Sequence, residues 1–330
     1  MTRLLLLGIG RWGTNHLRVL HSLPVELCVA ETDPRRLDTA RKLGLPEARL
    51  STDYRPLADA ADGAVIVTPA PSHFELCREF LESGKDVFVE KPITLISAEA
   101  KRLAELAEAR QRILQVGHIF RFDTASEWLR SALRAGAFGR VQMLRSNFSG
   151  FKRPRNDSGV GFADAIHFVD LFNYFLDHTP ARVTAVMKDF LGRGLEDASL
   201  LSLEYQTPQG PAWGLVETNY FLPGKFREVT ITGTDLSAVC DFNVAQYKIK
   251  TFANRHVKTG AEYKAEEGAL RQIECAPEEP LLAELRAFVD SIRTRQPPRA
   301  DGWAGYDAVR ILEAAMESAK TGRTVELGGG

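Results

Sequence analysis

The chain has few cysteines and almost no excess charge, and these two shortages exclude several classes of protein. Its four cysteines are scattered with no C-x-x-C pair, so neither a disulfide framework nor a metal site is expected. The 42 Lys and Arg residues nearly balance the 43 Asp and Glu residues. A protein that binds nucleic acid or an anionic membrane through its charge carries a large basic excess. Neither partner is therefore expected.

Long apolar runs are also missing. No stretch approaches the roughly 18 apolar residues that span a bilayer, and the apolar part of residues 1–10 is too short for a signal peptide. The 26 glycines and 16 prolines are too few for a low-complexity chain. We expect a folded cytoplasmic protein, and a length of 330 residues favours two domains.

The first third of the chain alternates short apolar runs with amphipathic segments. This order predicts buried parallel strands joined by helices, that is, an α/β Rossmann domain with a doubly wound sheet. The strands are predicted at 4–7, 26–30, 64–67, 87–89 and 113–116, and the helices at 14–22, 34–43, 72–83 and 98–110.

The pattern changes near residue 120, which predicts domains at 1–120 and 121–330. The second domain is predicted to begin with a helix at 124–135, a strand at 140–149 and a helix at 161–176. Strand then follows strand at 182–190, 199–205, 212–221, 228–232, 238–242 and 246–251. Such a run predicts an α+β domain with a mostly antiparallel sheet. Residues 258–280 are expected to form a polar connection before two closing helices, which are free to pack back on the first domain.

Gly8, Gly10 and Gly13 have the spacing G-x-G-x-x-G between a predicted strand and a predicted helix. The first glycine permits a tight turn, the second lets the backbone approach a pyrophosphate, and the third lets the helix pack closely on the strand. The helix N-terminus then offers N–H groups to phosphate. Dinucleotide binding is favoured over a purely structural turn, and Arg11 and Trp12 are included among the predicted cofactor-binding residues.

Glu31 follows the second predicted strand, 23 residues after Gly8. An acid about 20 residues beyond the first glycine accepts a hydrogen bond from the adenosine ribose 2′-hydroxyl and repels a 2′-phosphate. NAD is therefore favoured over NADP. Arg35 and Arg36 leave open the binding of a 2′-phosphate, although a solvated first helical turn is the favoured interpretation.

Other polar residues follow later strands of the predicted sheet, at the carboxyl edge where ligands bind. The candidates for cofactor binding here are Thr68, Pro69, His73, Glu90 and Lys91. A single histidine in such a place is more often packed or capping than a ligand. Lys91 stands out because it lies between a carboxylate and a proline at the end of a strand.

Asp164, His167 and Asp170 lie three residues apart in an otherwise apolar helical segment, so both acids are expected to flank the imidazole. A neighbouring carboxylate raises the basicity of an imidazole, as a general base requires. A core histidine satisfied by an acid is an equal alternative. Arg155 and Asn156 precede this helix in a polar loop, which either binds an anionic substrate or is solvated.

Taken together, these motifs resemble the Gfo/Idh/MocA (glucose-fructose oxidoreductase / inositol dehydrogenase) family over nearly the whole chain. The motifs that carry the resemblance are Gly8–Gly13, Thr68-Pro69 with His73, Glu90-Lys91-Pro92, Gly117-His118 with Arg121-Phe122, and His167 with Asp170. Segments 12–16 and 117–122 resemble the nucleotide-sugar branch. That branch includes dehydrogenases that oxidise the 3-hydroxyl of UDP-N-acetylglucosaminuronate.

The resemblance implies an NAD(P)-dependent dehydrogenase acting on CH–OH groups, with a large open sheet in its second domain. It implies that Lys91 lies by the nicotinamide and the substrate hydroxyl, and that His167 accepts the proton and contacts substrate. The family acid lies four residues before this histidine, where the chain has Ala163, so Asp164 is a displaced third catalytic candidate. Arg121 joins the predicted substrate-binding residues, and a homodimer or homotetramer is implied.

The sequence therefore predicts hydride transfer between NAD and a secondary alcohol or ketone of a sugar or nucleotide sugar. One alternative is a cyclitol or dihydrodiol dehydrogenase. Another, from a different class, is a non-catalytic NAD-sensing regulator of the same fold. A pure sensor needs neither Lys91 nor His167, so their presence argues against the regulator.

Overall fold

A computed structural model describes residues 1–328 as two compact units. The first comprises Met1–Phe122 with Glu279–Val309, and the second comprises Asp123–Glu278 with the chain from Arg310 onward. The sequence-based boundary at residue 120 places residues 279–309 in the second domain and leaves the closing helices free to pack back on the first. The structure groups this segment with the first unit because Phe288 packs 5.8 Å from Phe88 in its core.

The first unit contains a six-stranded parallel sheet with the order β3-β2-β1-β4-β5-β6. Its strands are β1 (Arg3–Leu7), β2 (Glu26–Ala30), β3 (Leu50–Ser51), β4 (Gly63–Ile66), β5 (Asp86–Glu90) and β6 (Leu114–Gly117). Its first helices are α1 (Gly13–Ser22), α2 (Leu37–Lys42), α3 (Arg55–Ala58), α4 (His73–Glu82) and α5 (Ser97–Ala109). The predicted Rossmann architecture is confirmed. The two-residue β3, which was not predicted, is too short to give a periodic signal.

The second unit is built on a nine-stranded sheet with the order β16-β13-β12-β11-β7-β10-β9-β8-β17. The strands of this sheet are β7 (Val141–Ser149), β8 (Arg182–Lys188), β9 (Ala198–Thr207), β10 (Gly210–Asn219), β11 (Glu228–Gly233), β12 (Ser237–Asp241), β13 (Ile249–Phe252), β16 (Leu270–Ile273) and β17 (Val325–Glu326). The unit also contains β14 (Arg255–Thr259) and β15 (Glu262–Glu266), which lie outside this sheet. Within the described part of this large sheet, only β7 and β10 pair in parallel, so the predicted mostly antiparallel sheet is confirmed.

The remaining helices are α6 (Thr124–Arg134), α7 (Ile166–Leu176), α8 (Pro280–Thr294) and α9 (Gly302–Thr321). The prediction of one α-helix over 161–176 is wrong for its first turn, because Gly161–Ala165 is a π-helical turn. This turn packs against Glu196, whose carboxylate accepts from the Gly161 N–H at 3.0 Å. A Cβ at Gly159 would lie 2.0 Å from the same carboxylate, so a side chain there would displace the Glu196 carboxylate from this position.

The expectation of a polar connection at 258–280 is also wrong. β14 and β15 form a separate two-stranded hairpin, and β16 pairs with β13 at the edge of the large sheet. All five residues of β15 are exposed, so this strand has no buried apolar face, the feature by which strands are usually recognised. Within residues 1–328, no helix has both the length and the apolar character needed to cross a membrane.

Candidate active site

The candidate cofactor residues of the first unit lie where neighbouring parallel strands end. Gly8 follows β1, Glu31 follows β2, Thr68 lies just beyond β4, and Glu90 ends β5. The carboxyl ends of parallel strands share one edge of the sheet, and this edge is where open α/β sheets bind ligands. The structure therefore brings these four predicted residues to the same edge.

The glycine turn is closed toward the protein and open at its middle glycine. Gly8 has a φ of +87°, and a Cβ on it would lie 3.0 Å from the Val67 carbonyl oxygen. A Cβ on Gly13 would lie only 2.1 Å from the Gly8 carbonyl oxygen. At Gly10 the nearest atom to such a Cβ is Nη1 of Arg36, 3.6 Å away. The open backbone at Gly10 fits the close approach of a dinucleotide pyrophosphate.

This contrast predicts that alanine at Gly13 affects stability, whereas alanine at Gly10 affects cofactor binding. Gly13→Ala is expected to lower the free energy of unfolding by about 1–3 kcal/mol, because the new methyl group overlaps backbone. Gly10→Ala is expected to leave the melting temperature nearly unchanged and to weaken NAD binding by about tenfold, because its methyl group occupies the space of the ligand. Thermal unfolding and calorimetric titration measure the two effects. Unaltered NAD affinity in the Gly10→Ala variant would contradict a pyrophosphate at this turn.

Glu31 is fixed beside the glycine turn although its side chain is charged. The residue is only 6% exposed, and its carboxylate accepts from the backbone N–H of Ile9 at 2.8 Å and of Asp33 at 3.0 Å. Nη1 of Arg36 lies 3.7 Å from the same carboxylate, whereas Arg35 is exposed and paired with Asp33. If a cation in this region bound a 2′-phosphate, Arg36 is therefore better placed than Arg35.

Replacing Glu31 with serine is expected to narrow the preference for NAD over NADP. The loss of a charged acceptor for the 2′-hydroxyl should weaken NAD binding by about tenfold or more, and NADP binding should no longer face repulsion. Calorimetric titration of both cofactors checks this, with Glu31→Gln as the variant that retains an oxygen acceptor. Tighter NADP than NAD binding by the unaltered protein would show that Arg36 rather than Glu31 decides the choice.

His73 connects two turns at the sheet edge. It is 1% exposed, and its ring nitrogens each lie 2.8 Å from a carbonyl oxygen, one of Thr68 and one of Pro92. These contacts favour the packed histidine over a direct ligand of the cofactor. The side chains of Arg11 and Pro69 are exposed, and their predicted contacts with cofactor stay predictions.

The sequence does not predict the hydrogen-bonded network around Glu90. The Glu90 carboxylate accepts from Nε1 of Trp12 at 2.8 Å and lies 2.8 Å from Nε2 of His16. Burial raises the pKa of Glu90, but the contacts with His16 and Trp12 and the charge of Lys91 outweigh burial and hold this pKa below its ordinary value. Trp12 and His16 are four residues apart and so share a helix face, which was the only signal available. The network ties the glycine turn to the residue that precedes Lys91.

In the second unit, His167 and Asp164 lie near the start of α7. The half-buried His167 ring stacks on Phe148 with 5.2 Å between centroids. Asp164 lies in the π-helical turn, and its carboxylate accepts from Nζ of Lys152 at 2.6 Å. A uniform α-helix predicts that Asp164 and Asp170 flank His167 in the same way. They do not, because Asp164 lies in a π turn, which contains more residues than an α turn. The catalytic roles of His167 and Asp164 stay predictions.

Cationic residues beside Phe148 were also missed. Burial lowers the pKa of Lys152, the Asp164 carboxylate raises it, and the charges of Arg227 and Arg155 lower it again, so that the result is below its ordinary value. The Arg227 guanidinium lies 3.4 Å from the Phe148 ring centroid. The pairing of β7 with β11 brings Arg227 to Phe148, and no sequence pattern predicts this pairing.

The remaining predicted substrate residues have protein partners or lie exposed. Arg121 is buried in the first unit, where its Nη1 donates to the Arg299 carbonyl at 2.7 Å. Arg155 donates to both carboxylate oxygens of Asp157, at 2.8 and 2.6 Å. Asn156 is exposed. Their roles in substrate binding stay predictions, and the geometry gives more support to Lys152 and Arg227 than to Arg155.

The fold and the glycine turn define an NAD-binding oxidoreductase. The chain belongs to the Gfo/Idh/MocA family: the family's model for an NAD-binding Rossmann fold matches residues 2–118, and its C-terminal alpha/beta domain model matches residues 130–327. The resemblance deduced from the motifs is therefore confirmed, and so are the assignments as an enzyme and of NAD as cofactor.

Named relatives cover almost the full chain. It is 28% identical to scyllo-inositol 2-dehydrogenase (NAD(+)) of Bacillus subtilis over 98% of this chain and 96% of that protein. It is 25% identical to UDP-N-acetylglucosamine 3-dehydrogenase of Acidithiobacillus ferrooxidans over 94% of each. Levoglucosan dehydrogenase, solved with NADH and levoglucosan, superposes with a TM-score of 0.84 over 99% of each chain at 19% identity, which shows the fold.

Proposed function

We propose that this oxidoreductase interconverts a secondary alcohol and a ketone on a sugar, cyclitol or nucleotide sugar. The observation that carries the proposal is the Trp12–Glu90 hydrogen bond of 2.8 Å. It joins the turn suited to a dinucleotide to the strand end that bears Lys91, so a basic side chain is held at the edge where the cofactor is expected. Relatives named as dehydrogenases of scyllo-inositol and of UDP-N-acetylglucosamine support a polyhydroxylated substrate.

NAD supplies the hydride acceptor when it is bound. The residues that would hold it are the backbone of the glycine turn Gly8–Gly13 and the carboxylate of Glu31. The turns that His73 connects would border the same edge. Glu90 contributes indirectly, because it fixes the Trp12 side chain of the glycine turn.

Two side chains act on the substrate hydroxyl in this proposal. His167 accepts the hydroxyl proton, and the ammonium group of Lys91 donates a hydrogen bond to the hydroxyl oxygen and stabilises the negative charge that develops there. Support for each comes from within its own unit. Lys91 follows β5 at the ligand edge, and His167 has its ring orientation fixed by stacking on Phe148. Asp164 is proposed to set the charge around His167 through its ion pair with Lys152.

The substrate class is tested by absorbance of reduced nicotinamide with NAD and a panel of polyols. The panel contains scyllo-inositol, myo-inositol, levoglucosan, UDP-N-acetylglucosamine and UDP-N-acetylglucosaminuronate. Oxidation of a nucleotide sugar favours the main proposal, and oxidation of an inositol alone favours the cyclitol alternative. Tight NAD binding without turnover of any member would favour the non-catalytic regulator.

We also propose that the protein forms a homodimer or homotetramer and works in the cytoplasm. One face of the large sheet exposes Val186, Leu200 and Trp213, and Val186 pairs directly with Leu200. Exposed apolar groups on one face of a sheet often mark contacts between proteins. Light scattering tests the assembly, and a monomer at micromolar concentration would contradict it.

A further inference from the structure

The second unit holds an unusual group of cations beside His167. Lys152 forms an ion pair of 2.6 Å with Asp164. Arg227 packs on Phe148 and donates to the Ser149 carbonyl at 3.0 Å, and it makes no ion pair within the part of the chain that the structure describes. The single Asp164 carboxylate therefore faces two cations, and the group carries excess positive charge.

Burial makes this excess costly. The pKa of Arg227 is lowered from its ordinary value by desolvation, which the charge of Asp164 offsets only in part. Desolvation is likewise the largest cause of the lowered pKa of Lys152. Stacking of a guanidinium on an aromatic ring recovers some of the lost hydration energy. It does not supply the negative charge that a partly desolvated cation favours.

Tyr220 provides a second, independent observation. The residue is 2% exposed, and its hydroxyl has no hydrogen-bond partner among residues 1–328. The ammonium group of Lys152 lies 5.2 Å from the centre of its ring. Buried hydroxyl groups are almost always hydrogen-bonded. A buried hydroxyl without a protein partner, on a ring that lies beside the Lys152 ammonium group, therefore indicates a place for an acceptor that is not part of the protein.

We propose that Lys152, Arg227 and Tyr220 form a subsite for the carboxylate or phosphate of an acidic sugar substrate. Phe148 links this subsite to the reaction centre, because one ring contacts both Arg227 and His167. This proposal rests on the proposed function, which places the substrate hydroxyl at His167, and it adds that the substrate carries a negative charge. Arg155 is not the main determinant of anion binding, since its guanidinium already donates hydrogen bonds to both oxygens of the Asp157 carboxylate.

The test is calorimetric titration of the intact protein with NADH present, because NADH cannot accept a hydride and the probes therefore bind without being oxidised. The acidic probes are D-glucuronate, which carries a carboxylate, and UDP-N-acetylglucosamine, which carries phosphates. The neutral probes are N-acetylglucosamine and myo-inositol. At least one acidic probe is expected to bind more tightly than the neutral probes, and the one that does identifies the carboxylate or the phosphate.

Arg227→Gln is expected to weaken the binding of that acidic probe by about 10–100-fold, the value of a charge-assisted hydrogen bond. It should weaken the binding of the neutral probes by less than about twofold. Arg227→Lys should restore part of the loss. Tyr220→Phe should weaken the acidic probe without lowering the melting temperature, because its hydroxyl has no protein partner to lose. Arg145→Gln is the matched control, since Arg145 is an exposed arginine of β7.

Equal binding of acidic and neutral probes, or no detectable binding of any of them, would overturn the subsite. So would an Arg227→Gln variant that weakens all probes alike, because that pattern indicates a structural role. If Arg227→Gln fails to fold, the Arg227→Lys and Tyr220→Phe variants decide on the same criterion. Binding is measured without turnover, so a failure of this inference is separate from a failure of the proposed oxidation, which the polyol panel detects.

Discussion

Replacing His167 with alanine is expected to lower kcat by about 10²–10⁴-fold, the usual value of general acid–base catalysis. The expected cause is the loss of the group that accepts the hydroxyl proton. NAD affinity should be unchanged, because the glycine turn and Glu31 belong to the other unit. Single-turnover formation of reduced nicotinamide measures the effect on the chemical step directly.

The matched control for this variant is His178→Ala. His178 is a half-buried histidine shortly after the end of α7, and its Nδ1 lies 2.9 Å from the Leu176 carbonyl oxygen. It should retain near-normal rates. Asp164→Asn should cost less than His167→Ala, since Asp164 is engaged by Lys152. A His167→Ala enzyme with near-normal rates across pH would remove His167 as the base and make Lys91 the leading candidate.

Replacing Lys91 with methionine is expected to lower kcat by about 10²–10³-fold, as for the loss of a donor that stabilises a developing oxyanion. Methionine keeps the length of the side chain and removes its charge. The NAD dissociation constant should change by less than about twofold. Steady-state kinetics combined with calorimetric titration of NAD separates the two quantities.

Lys85 offers a matched control at the opposite end of the same strand. It precedes β5 at the amino edge of the sheet and donates to the Asp59 carbonyl at 2.8 Å. Lys85→Met should therefore leave kcat unchanged. If both variants lost activity equally, or if Lys91→Met raised only KM, the assignment of Lys91 to the charged transition state would fail.

Features that depend on neighbouring residues were predicted well from the sequence. The glycine turn and Glu31 follow directly from strand ends, and each strand of the first sheet longer than two residues was predicted within about one residue of its observed bounds. These signals are local, since a buried parallel strand needs only a short apolar run and a glycine turn needs only its spacing.

Features that depend on distant residues could not be predicted in this way. The contact of His16 with Glu90 joins positions 74 residues apart, and Arg227 reaches Phe148 only through the pairing of β7 with β11. Neither contact has a periodicity or a spacing that marks it. The π-helical turn at Asp164 was missed for a related reason, because its backbone is set by packing against Glu196 rather than by the propensities of its own residues.

We expect this chain to move hydride from a carbinol carbon of a polyol to NAD. The most direct measurement uses the polyol panel with deuterium at the carbinol carbons and mass spectrometry of the reduced nicotinamide that forms. The reduced cofactor is expected to carry one deuterium with at least one member of the panel. Reduced nicotinamide without the label, or none with any member, would contradict it.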